Sequence, residues 1–216
     1  GGFVRVLRST DKGATWSGPY DISRLGTIGV TDPETGEDVR TGDIIPDIAV
    51  DAANGRLYAV WQDASFNGNR ADAIAFSQSL DGGLTWSAPI KVNQTPTTIP
   101  IGDQQAFTPS VDVSANGTVA VTYYDFRNNT DAPPLVTDYF IVHCHPATPT
   151  ACTSASNWGN ESRLTNQSFD MRQAPDAGGF FTGDYEGLAN AVNDFTPFFA
   201  QPHGTDPSST FFRRAG

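Results

Sequence analysis

The stretch Ser79-Leu80-Asp81-Gly82-Gly83-Leu84-Thr85-Trp86 decides the fold, and it has an upstream copy, Ser9-Thr10-Asp11-Lys12-Gly13-Ala14-Thr15-Trp16. Both copies read S-x-D-x-G-x-T-W, and both are followed by Ser, then Gly or Ala, then Pro. A phrase that recurs at a long period is typical of arrays in which one supersecondary unit is repeated along the chain.

The residues shared by the two copies are suited to a tight turn. Asp accepts hydrogen bonds from backbone N–H groups further along the turn, and Gly takes a positive φ without strain. Trp adds a large apolar ring that anchors the turn in a core. We therefore predict two rigid hairpin turns with Trp16 and Trp86 buried in equivalent places, and a structural role for the shared residues: Ser9, Asp11, Gly13, Thr15, Trp16, Ser79, Asp81, Gly83, Thr85 and Trp86.

The phrase resembles the Asp-box, or bacterial neuraminidase repeat, of sialidase-like β-propellers. In that family the box forms the turn between the third and fourth strands of a blade, on the face away from the active site. The resemblance implies an all-β fold, a β-propeller of four-stranded antiparallel blades, with six blades when complete. Trp158 follows Trp86 at nearly the distance that separates Trp86 from Trp16, which indicates a third copy of the hairpin.

Short β-branched or aromatic runs bounded by Gly, Pro, Asn and Asp lie between these tryptophans and predict strands. Asn-Gly pairs, a strong hairpin signal, end at Gly55 and Gly117. No segment has a helical period. The predicted strands cover residues 3–8, 44–51, 56–62, 71–77, 108–113, 118–124, 138–144, 185–191, 195–201 and 210–214.

The units predict a single, incomplete propeller domain over residues 1–216, with about three to three and a half blades. The end of one blade occupies 1–25, whole blades occupy 42–93 and 103–166, and the last blade occupies 183–216. Half a ring exposes bare strand edges, which soluble proteins avoid. We therefore expect the remainder of the propeller to come from upstream sequence or from another chain.

Composition excludes some partners and favours a location. The formal net charge of −11 argues against nucleic acid and anionic membranes, and no membrane-spanning apolar run is visible, so membrane insertion is not expected. Charged residues are sparse while turn-forming residues abound, as in secreted β-proteins. We expect an extracellular or secreted protein, with the periplasm and the cell surface as alternatives.

Cys144 and Cys152 are the only cysteines, and they flank a Pro-containing loop. A pair this close in a secreted chain predicts a disulfide. Metal binding by both cysteines together with His143 and His145 is the alternative. His143 and His145 share one face of the predicted strand, away from Cys144.

Three Gly-Asp pairs precede the innermost predicted strand of successive blades, at Asp43, Asp103 and Asp184. Acids at equivalent positions would converge around the mouth of the central channel. There they could bind Ca²⁺, which prefers several oxygen ligands, or act as acid and base. A turn-capping role is equally compatible with the pattern. No cofactor is required, and Ca²⁺ is the ion that these acids could bind.

The resemblance implies a tyrosine nucleophile near the start of an inner strand, activated by a carboxylate that takes its proton. Tyr185 holds that place, and the alternative is that its ring packs between blades. Because neighbours on a strand face opposite ways, the activating carboxylate is expected from another blade rather than from Glu186. The catalytic candidates are Tyr185, Glu186, Asp170 and Asp43.

Sialidases also clamp the substrate carboxylate with three arginines, a role for which paired hydrogen bonds suit guanidinium groups. The candidates here are Arg172, Arg127 and Arg40. The resemblance thus implies a glycoside hydrolase of the exo-sialidase type acting on terminal sugars of a glycan. The alternatives are a non-catalytic glycan- or protein-binding propeller and another carbohydrate-active enzyme, a glycosidase or lyase, that uses loop carboxylates.

Overall fold

The computed structural model describes residues 2–216, and its regular structure there is all β apart from short 3₁₀ turns. The 3₁₀ turns are Ala64–Asn67, Ile101–Gln104, Ala151–Thr153, Ala155–Asn157 and Met171–Gln173. The strands are β1 (Phe3–Arg8), β2 (Ser17–Arg24), β3 (Val30–Thr31), β4 (Asp38–Arg40), β5 (Asp47–Val50), β6 (Leu57–Asp63), β7 (Ala73–Ser79), β8 (Ile90–Lys91), β9 (Ala106–Val113), β10 (Val119–Asp125), β11 (Val136–Cys144), β12 (Trp158–Arg163), β13 (Phe169–Asp170), β14 (Phe180–Phe181), β15 (Gly187–Ala191), β16 (Asp194–His203) and β17 (Asp206–Phe212).

Four antiparallel sheets follow one another along the chain. The first sheet pairs β1 with β2, the second runs β5-β6-β7-β8, the third runs β9-β10-β11-β12, and the fourth runs β15-β16-β17. β13 adds to β11, and β14, β4 and β3 form a small separate sheet. The all-β prediction is confirmed, and every predicted strand overlaps an observed one. The Asn-Gly turns fold as expected, with φ of +75° at Gly55 and +84° at Gly117.

The two S-x-D-x-G-x-T-W phrases form hairpin turns with the same hydrogen-bond pattern. In the turn between β7 and β8, Ser79 Oγ donates to Asp81 at 2.8 Å and accepts from the Gly83 amide at 2.9 Å. The Thr85 amide and hydroxyl donate to the two Asp81 carboxylate oxygens at 2.9 and 2.6 Å. The turn at 9–15 repeats these four bonds at 2.6–2.8 Å.

Two of the three hairpin tryptophans pack against the preceding sheet. Trp158 is buried against Phe76 of the second sheet, with ring centroids 4.8 Å apart. Trp86 is half-buried in a cluster that includes Val4 of the first sheet. Trp16 is 63% exposed, so the prediction that it is buried like Trp86 is wrong. Among the described residues no sheet precedes the first, so nothing covers its indole.

Two hydrophobic cores fill the spaces between the larger sheets. One lies between the second and third sheets and contains Phe76 and Tyr123, and the other lies between the third and fourth and contains Tyr124 and Phe199. Tyr123 and Tyr124 are neighbours on β10. Their side chains pack into different cores because successive strand residues face opposite ways. Within residues 2–216, no helix is long and apolar enough to cross a membrane.

The predicted disulfide is confirmed. Cys144 at the end of β11 and Cys152 are joined by an S–S bond of 2.06 Å, and both are buried in the core between the second and third sheets. Neither cysteine is free, so the alternative in which both thiolates bind a metal is wrong.

Candidate active site

The inner strands β5, β9 and β15 border one cavity of about 670 Å³, here called the inner cavity. Carboxyl groups line it, and the described lining residues include no Lys, Arg or His. Two of its acids tie neighbouring sheets together: Asp47 accepts from the Val111 amide at 2.9 Å, and Asp112 accepts from the Asn190 amide at 2.6 Å. The remaining two acids, Asp184 and Glu186, come from the segment that leads into β15.

Of these two acids, Glu186 is the one whose ionisation is opposed more strongly by burial. Its Oε1 lies 2.8 Å from the Tyr124 hydroxyl oxygen and accepts from the Ala200 amide at 3.4 Å. Burial raises the pKa of Glu186 to about 8, against the opposing effect of these two hydrogen bonds. Glu186 therefore carries a proton at neutral pH and faces a cavity, as a general acid must.

Asp184 has the opposite environment. The Nε and Nη2 atoms of Arg40 donate to its two carboxylate oxygens at 3.0 and 2.7 Å. This paired contact lowers the pKa of Asp184 from its ordinary value. Asp184 is thus ionised at neutral pH, and it borders both the inner cavity and a second cavity of about 480 Å³ that Arg40 and Asp43 also line.

Tyr185 lies between these two acids in sequence and lines the inner cavity. Its side chain is 76% exposed, so the alternative in which its ring packs between sheets is wrong. Its position on the cavity is the one the sequence predicted for a nucleophile, and that role stays a prediction.

Asp43 borders the second cavity and accepts from the Thr27 hydroxyl at 3.0 Å. The same hydroxyl lies 2.6 Å from Asp72, a fully buried acid whose pKa is raised by burial. Asp170 lies elsewhere: it accepts from the Leu135 and Arg172 amides at 3.0 and 3.1 Å and so fixes a turn. The structure therefore brings Asp43 close to Asp184 and Arg40, and holds Asp170 in a capping contact.

A hairpin of β3 and β4, here called the strap (residues 30–40), reaches across to the loops of the later sheets. Arg172 holds it, with Nε donating to Asp32 at 2.7 Å and Nη2 donating to Glu34 at 2.6 Å. Asn129 also donates to Glu34 at 2.7 Å. Although burial alone would raise it, the Arg172 guanidinium holds the pKa of Asp32 well below its usual range.

Further contacts fix the strap along its length. Gln105 donates to the Thr31 carbonyl at 2.7 Å, and the Thr31 amide donates back to Gln105 at 2.9 Å. β4 pairs in parallel with β14. The strap thereby connects loops that lie before or after the second, third and fourth sheets. Its residues also line part of the second cavity.

The three arginines predicted to clamp a substrate carboxylate are each bound by carboxylates of this chain. Arg40 binds Asp184, and Arg172 binds Asp32 and Glu34, as described above. Arg127 is largely buried, donates to Asp125 at 2.7 Å and also pairs with Glu161. An incoming anionic sugar would have to compete with these partners.

The three acids predicted as a weak calcium site have different partners. Asp184 binds Arg40, Asp43 accepts from Thr27, and Asp103 accepts from Asn129 at 3.0 Å. Over residues 2–216, no group of three or more His, Cys, Asp or Glu side chains has the arrangement of a metal site. Calcium binding stays a prediction.

The structure is similar to parts of larger glycoside hydrolases. A GH43_12 protein from a capybara gut metagenome matches with 15% identity and a TM-score of 0.52, over 98% of this chain and 34% of that one. The Hadza microbial sialidase Hz136 matches with 15% identity and a TM-score of 0.52, over 98% of this chain and 38% of that one. The chain thus spans about a third of the length of these structures.

No protein-family model and no curated protein matches the sequence. At this low identity the likeness to the two solved structures shows a shared fold, that of propeller glycosidases. Fold alone does not establish an activity.

Sequence reasoning named Asp184, Tyr185 and Glu186 on the inner cavity, and it missed the lining acids Asp47 and Asp112 and the contact of Tyr124 with Glu186. Asp184 was predicted as a calcium ligand or as an acid or base, and Tyr124 only as part of a strand. The Asp-Tyr-Glu order at 184–186 is a second sequence signal for Asp184, because it places two carboxyl groups on either side of the candidate nucleophile. Nothing in the sequence around Tyr124 indicates its contact with Glu186, which lies 62 positions away.

Proposed function

We propose that this chain is part of a secreted, carbohydrate-active β-propeller that hydrolyses glycosidic bonds at the inner cavity. The observation that supports this is the pair Glu186 and Asp184, whose environments drive their pKa values in opposite directions on one cavity. Two carboxyl groups held in opposite protonation states are what glycosidases use as acid and as base or nucleophile.

In this proposal Glu186 is the general acid, and Asp184 is either the nucleophile or the general base. Glu186, neutral at pH 7, gives its proton to the glycosidic oxygen as the bond to the leaving group breaks. Asp184, kept ionised by Arg40, attacks the anomeric carbon or takes a proton from an attacking water. The first route retains and the second inverts the anomeric configuration.

The test measures hydrolysis of a panel of 4-nitrophenyl glycosides by the full-length protein and its variants. Glu186→Gln and Asp184→Asn are expected to lower kcat by about 100-fold or more, since acid–base groups contribute roughly 10²–10⁴-fold. Glu37→Gln, which alters an exposed glutamate on the strap, is the matched control and should retain full activity. Full activity in the first two variants would exclude the proposed pair.

The exo-sialidase reaction is the second candidate, and the exposed position of Tyr185 on the inner cavity supports it. In that case Tyr185→Phe lowers turnover of 4-methylumbelliferyl sialoside, and Asp184→Asn has little effect. The paired state of Arg40, Arg127 and Arg172 favours the carboxylate-pair reaction on neutral sugars instead. Binding of glycans without turnover of any substrate would identify a non-catalytic binding propeller.

We infer that the complete protein is a six-bladed ring and that further blades complete it. The chain covers only 34% and 38% of the two structures that share its fold. Trp16 and Leu7 are exposed on the first sheet. A sheet preceding the first would bury both.

The oligomeric state and the solvent accessibility of Trp16 in the full-length protein show where the further blades come from. If upstream sequence supplies them, analytical ultracentrifugation finds a monomer whose Trp16 is protected from acrylamide quenching, compared with a Trp16→Phe variant. If another chain supplies them, the protein is an oligomer and Trp16 becomes accessible on dilution. Exposure of Trp16 at all concentrations would contradict the ring.

Location outside the reducing cytoplasm is also part of the proposal. The disulfide between Cys144 and Cys152 supports it, because such bonds persist in oxidising compartments. Thiol labelling of the protein in fractionated cells tests this. Reactive thiols at both cysteines in the native protein would contradict it.

A further inference from the structure

A third cavity, here called the hairpin cavity, lies between the segment 166–173 and the β16–β17 hairpin of the fourth sheet. Its volume is about 420 Å³, and none of its lining residues lines the inner cavity. Pockets of roughly 300–1,000 Å³ are typical of small-molecule sites. Both walls belong to the described part of this chain, so the cavity is complete without further blades.

Strand alternation directs the side chain of Gln201 into this cavity. Phe195 and Phe199 on β16 are fully buried in the core between the third and fourth sheets. Gln201 follows them on the same face, because side chains two positions apart share a face. It is only 8% exposed, and its side-chain amide has no hydrogen-bond partner among residues 2–216. A buried amide left unpaired is costly, so Gln201 is available to a ligand in the cavity.

Further polar groups with unused hydrogen-bonding capacity line the same cavity. Asp170 Oδ1 accepts from two backbone amides, whereas its Oδ2 has only a 3.5 Å contact with Gln173. Asn166 and Gln167 are exposed at the rim. A side-chain amide both donates and accepts, and so does a hydroxyl group. The lining therefore matches a ligand that carries several neighbouring hydroxyl groups.

The rest of the lining favours a ligand that is uncharged and partly apolar. Phe211 supplies an aromatic ring that packs on Phe199 and His203, with ring centroids 6.0 and 5.6 Å away. The formal charges of Asp170 and Arg213 cancel, and Arg213 Nε already donates to a backbone carbonyl at 3.0 Å. Hydroxyl groups beside apolar C–H groups, without charge, are the chemistry of a neutral sugar.

We propose that the hairpin cavity is a second carbohydrate-binding site, which holds a neutral polysaccharide without cleaving it. A neighbouring cavity of about 320 Å³ shares Gln173 and Gly204 with it and continues along the tip of the hairpin. A chain of several sugar residues therefore has room to extend beyond Gln201. The acids of the inner cavity line neither of these two cavities, so binding here does not depend on the hydrolysis proposed above.

The test is native affinity electrophoresis of the full-length protein. The gels contain soluble arabinoxylan, arabinan or β-glucan as neutral probes, and polygalacturonate as an anionic probe. We expect at least one neutral polysaccharide to retard the protein and polygalacturonate to have no effect. The measurement reports binding alone, so its outcome is separate from whether the protein hydrolyses any glycoside.

Gln201→Leu is the decisive variant. Leu is similar in size to Gln, and the amide that it removes has no partner within residues 2–216, so the free energy of unfolding should not fall. The dissociation constant derived from the retardation should rise about tenfold, which corresponds to the loss of one or two hydrogen bonds. Thr210→Val is the matched control, because Thr210 is exposed on β17 and does not line the cavity.

Gln167→Ala changes an exposed residue of the rim and provides the same test if Gln201→Leu fails to fold, which circular dichroism checks. The proposal is overturned if no neutral polysaccharide retards the wild type, or if only polygalacturonate does. It is also overturned if the folded variants are retarded as strongly as the wild type. Retardation that depends on Gln201 in a protein without hydrolytic activity would support this site and reject the proposed hydrolase.

Discussion

The Tyr124 hydroxyl lies 2.8 Å from Glu186 Oε1 and 2.6 Å from the carbonyl oxygen of Ala200. A phenol has one proton to donate, and a carbonyl oxygen has none. Both contacts are satisfied when Tyr124 donates to Ala200 and a protonated Glu186 donates to the phenol oxygen. This geometry agrees with the pKa of Glu186, which burial raises to about 8.

Glu186→Gln is expected to change how stability depends on pH. The pKa of Glu186 is about 8 when folded and 4.5 without the fold. Between these values the folded state holds a proton that the unfolded state lacks, so stability falls as pH rises from about 4.5 to about 8. Gln cannot ionise but can still donate to Tyr124, so the variant should be more stable than the wild type at pH 8 by about 4 kcal/mol.

Urea denaturation of both proteins at pH 5 and pH 8 measures this difference. At pH 5 the two should differ by only about 1 kcal/mol, because Glu186 is protonated in the folded state and about three-quarters ionised in the unfolded one. An equal difference at both pH values would mean that Glu186 is ionised throughout.

Arg127→Met is expected to destabilise the protein by about 3 kcal/mol, because it leaves buried carboxylates without their cation. The Arg127 guanidinium donates to the fully buried Asp125 at 2.7 Å and also binds Glu161. It stacks on the Phe140 ring at 3.7 Å, a contact that Met retains only in part. Urea denaturation at pH 7 measures the loss. Arg5→Met is the control, since Arg5 and Asp21 are 46% and 53% exposed and such pairs contribute at most about 1 kcal/mol.

Arg172→Met is expected to release the strap. It removes the cation that binds both Asp32, which is fully buried, and Glu34. Hydrogen exchange of the amides in β3 and β4 should accelerate, while exchange in β6 and β7 stays unchanged. Arg163→Met, which removes a half-exposed arginine with a longer 3.6 Å contact to Asp138, should leave the strap protected. Protection of the strap in Arg172→Met would show that β14 and Gln105 suffice to hold it.

Loss of the disulfide is expected to destabilise the protein by about 2.5 kcal/mol. The reason is that the bond closes a short loop and so lowers the conformational entropy of the unfolded chain. Cys144 and Cys152 are separated by 8 positions. The measurement compares thermal unfolding of the oxidised wild type with that of Cys144→Ser/Cys152→Ser. A stability unchanged by the double substitution would contradict the entropic contribution.

The two equivalent turns should respond differently to the same substitution. Asp11 and Asp81 each accept bonds from Thr side chain and backbone that lower their pKa to about 2. Asp81→Ala is expected to lower the melting temperature more than Asp11→Ala, because the turn with Asp81 is anchored through Trp86 to the first sheet. A depressed pKa stabilises the fold above the ordinary value of 3.8, and this contribution is lost as pH falls through about 2. Equal shifts in melting temperature would show that the tryptophan anchor does not matter.

The sequence by itself determined the strands, the hairpin turns and the disulfide, because each depends on residues close together in the chain. The hydrogen bonds of the 79–86 turn all join residues within a few positions of one another. Strand alternation likewise follows from a local period of two. Tyr185 was placed on the cavity by the same local reasoning, from its position before an inner strand.

Only the tertiary structure decided which charged groups meet. Arg172 binds Asp32 across 140 positions, and Arg40 binds Asp184 across 144. Arginines that looked free for a substrate are therefore already paired, and Glu186 is neutral because Tyr124 and the neighbouring sheets enclose it. The ionisation of a carboxyl group depends on the charges and burial around it in space. Sequence spacing does not carry that information, since the strap and the sheets bring these residues together only when the chain is folded.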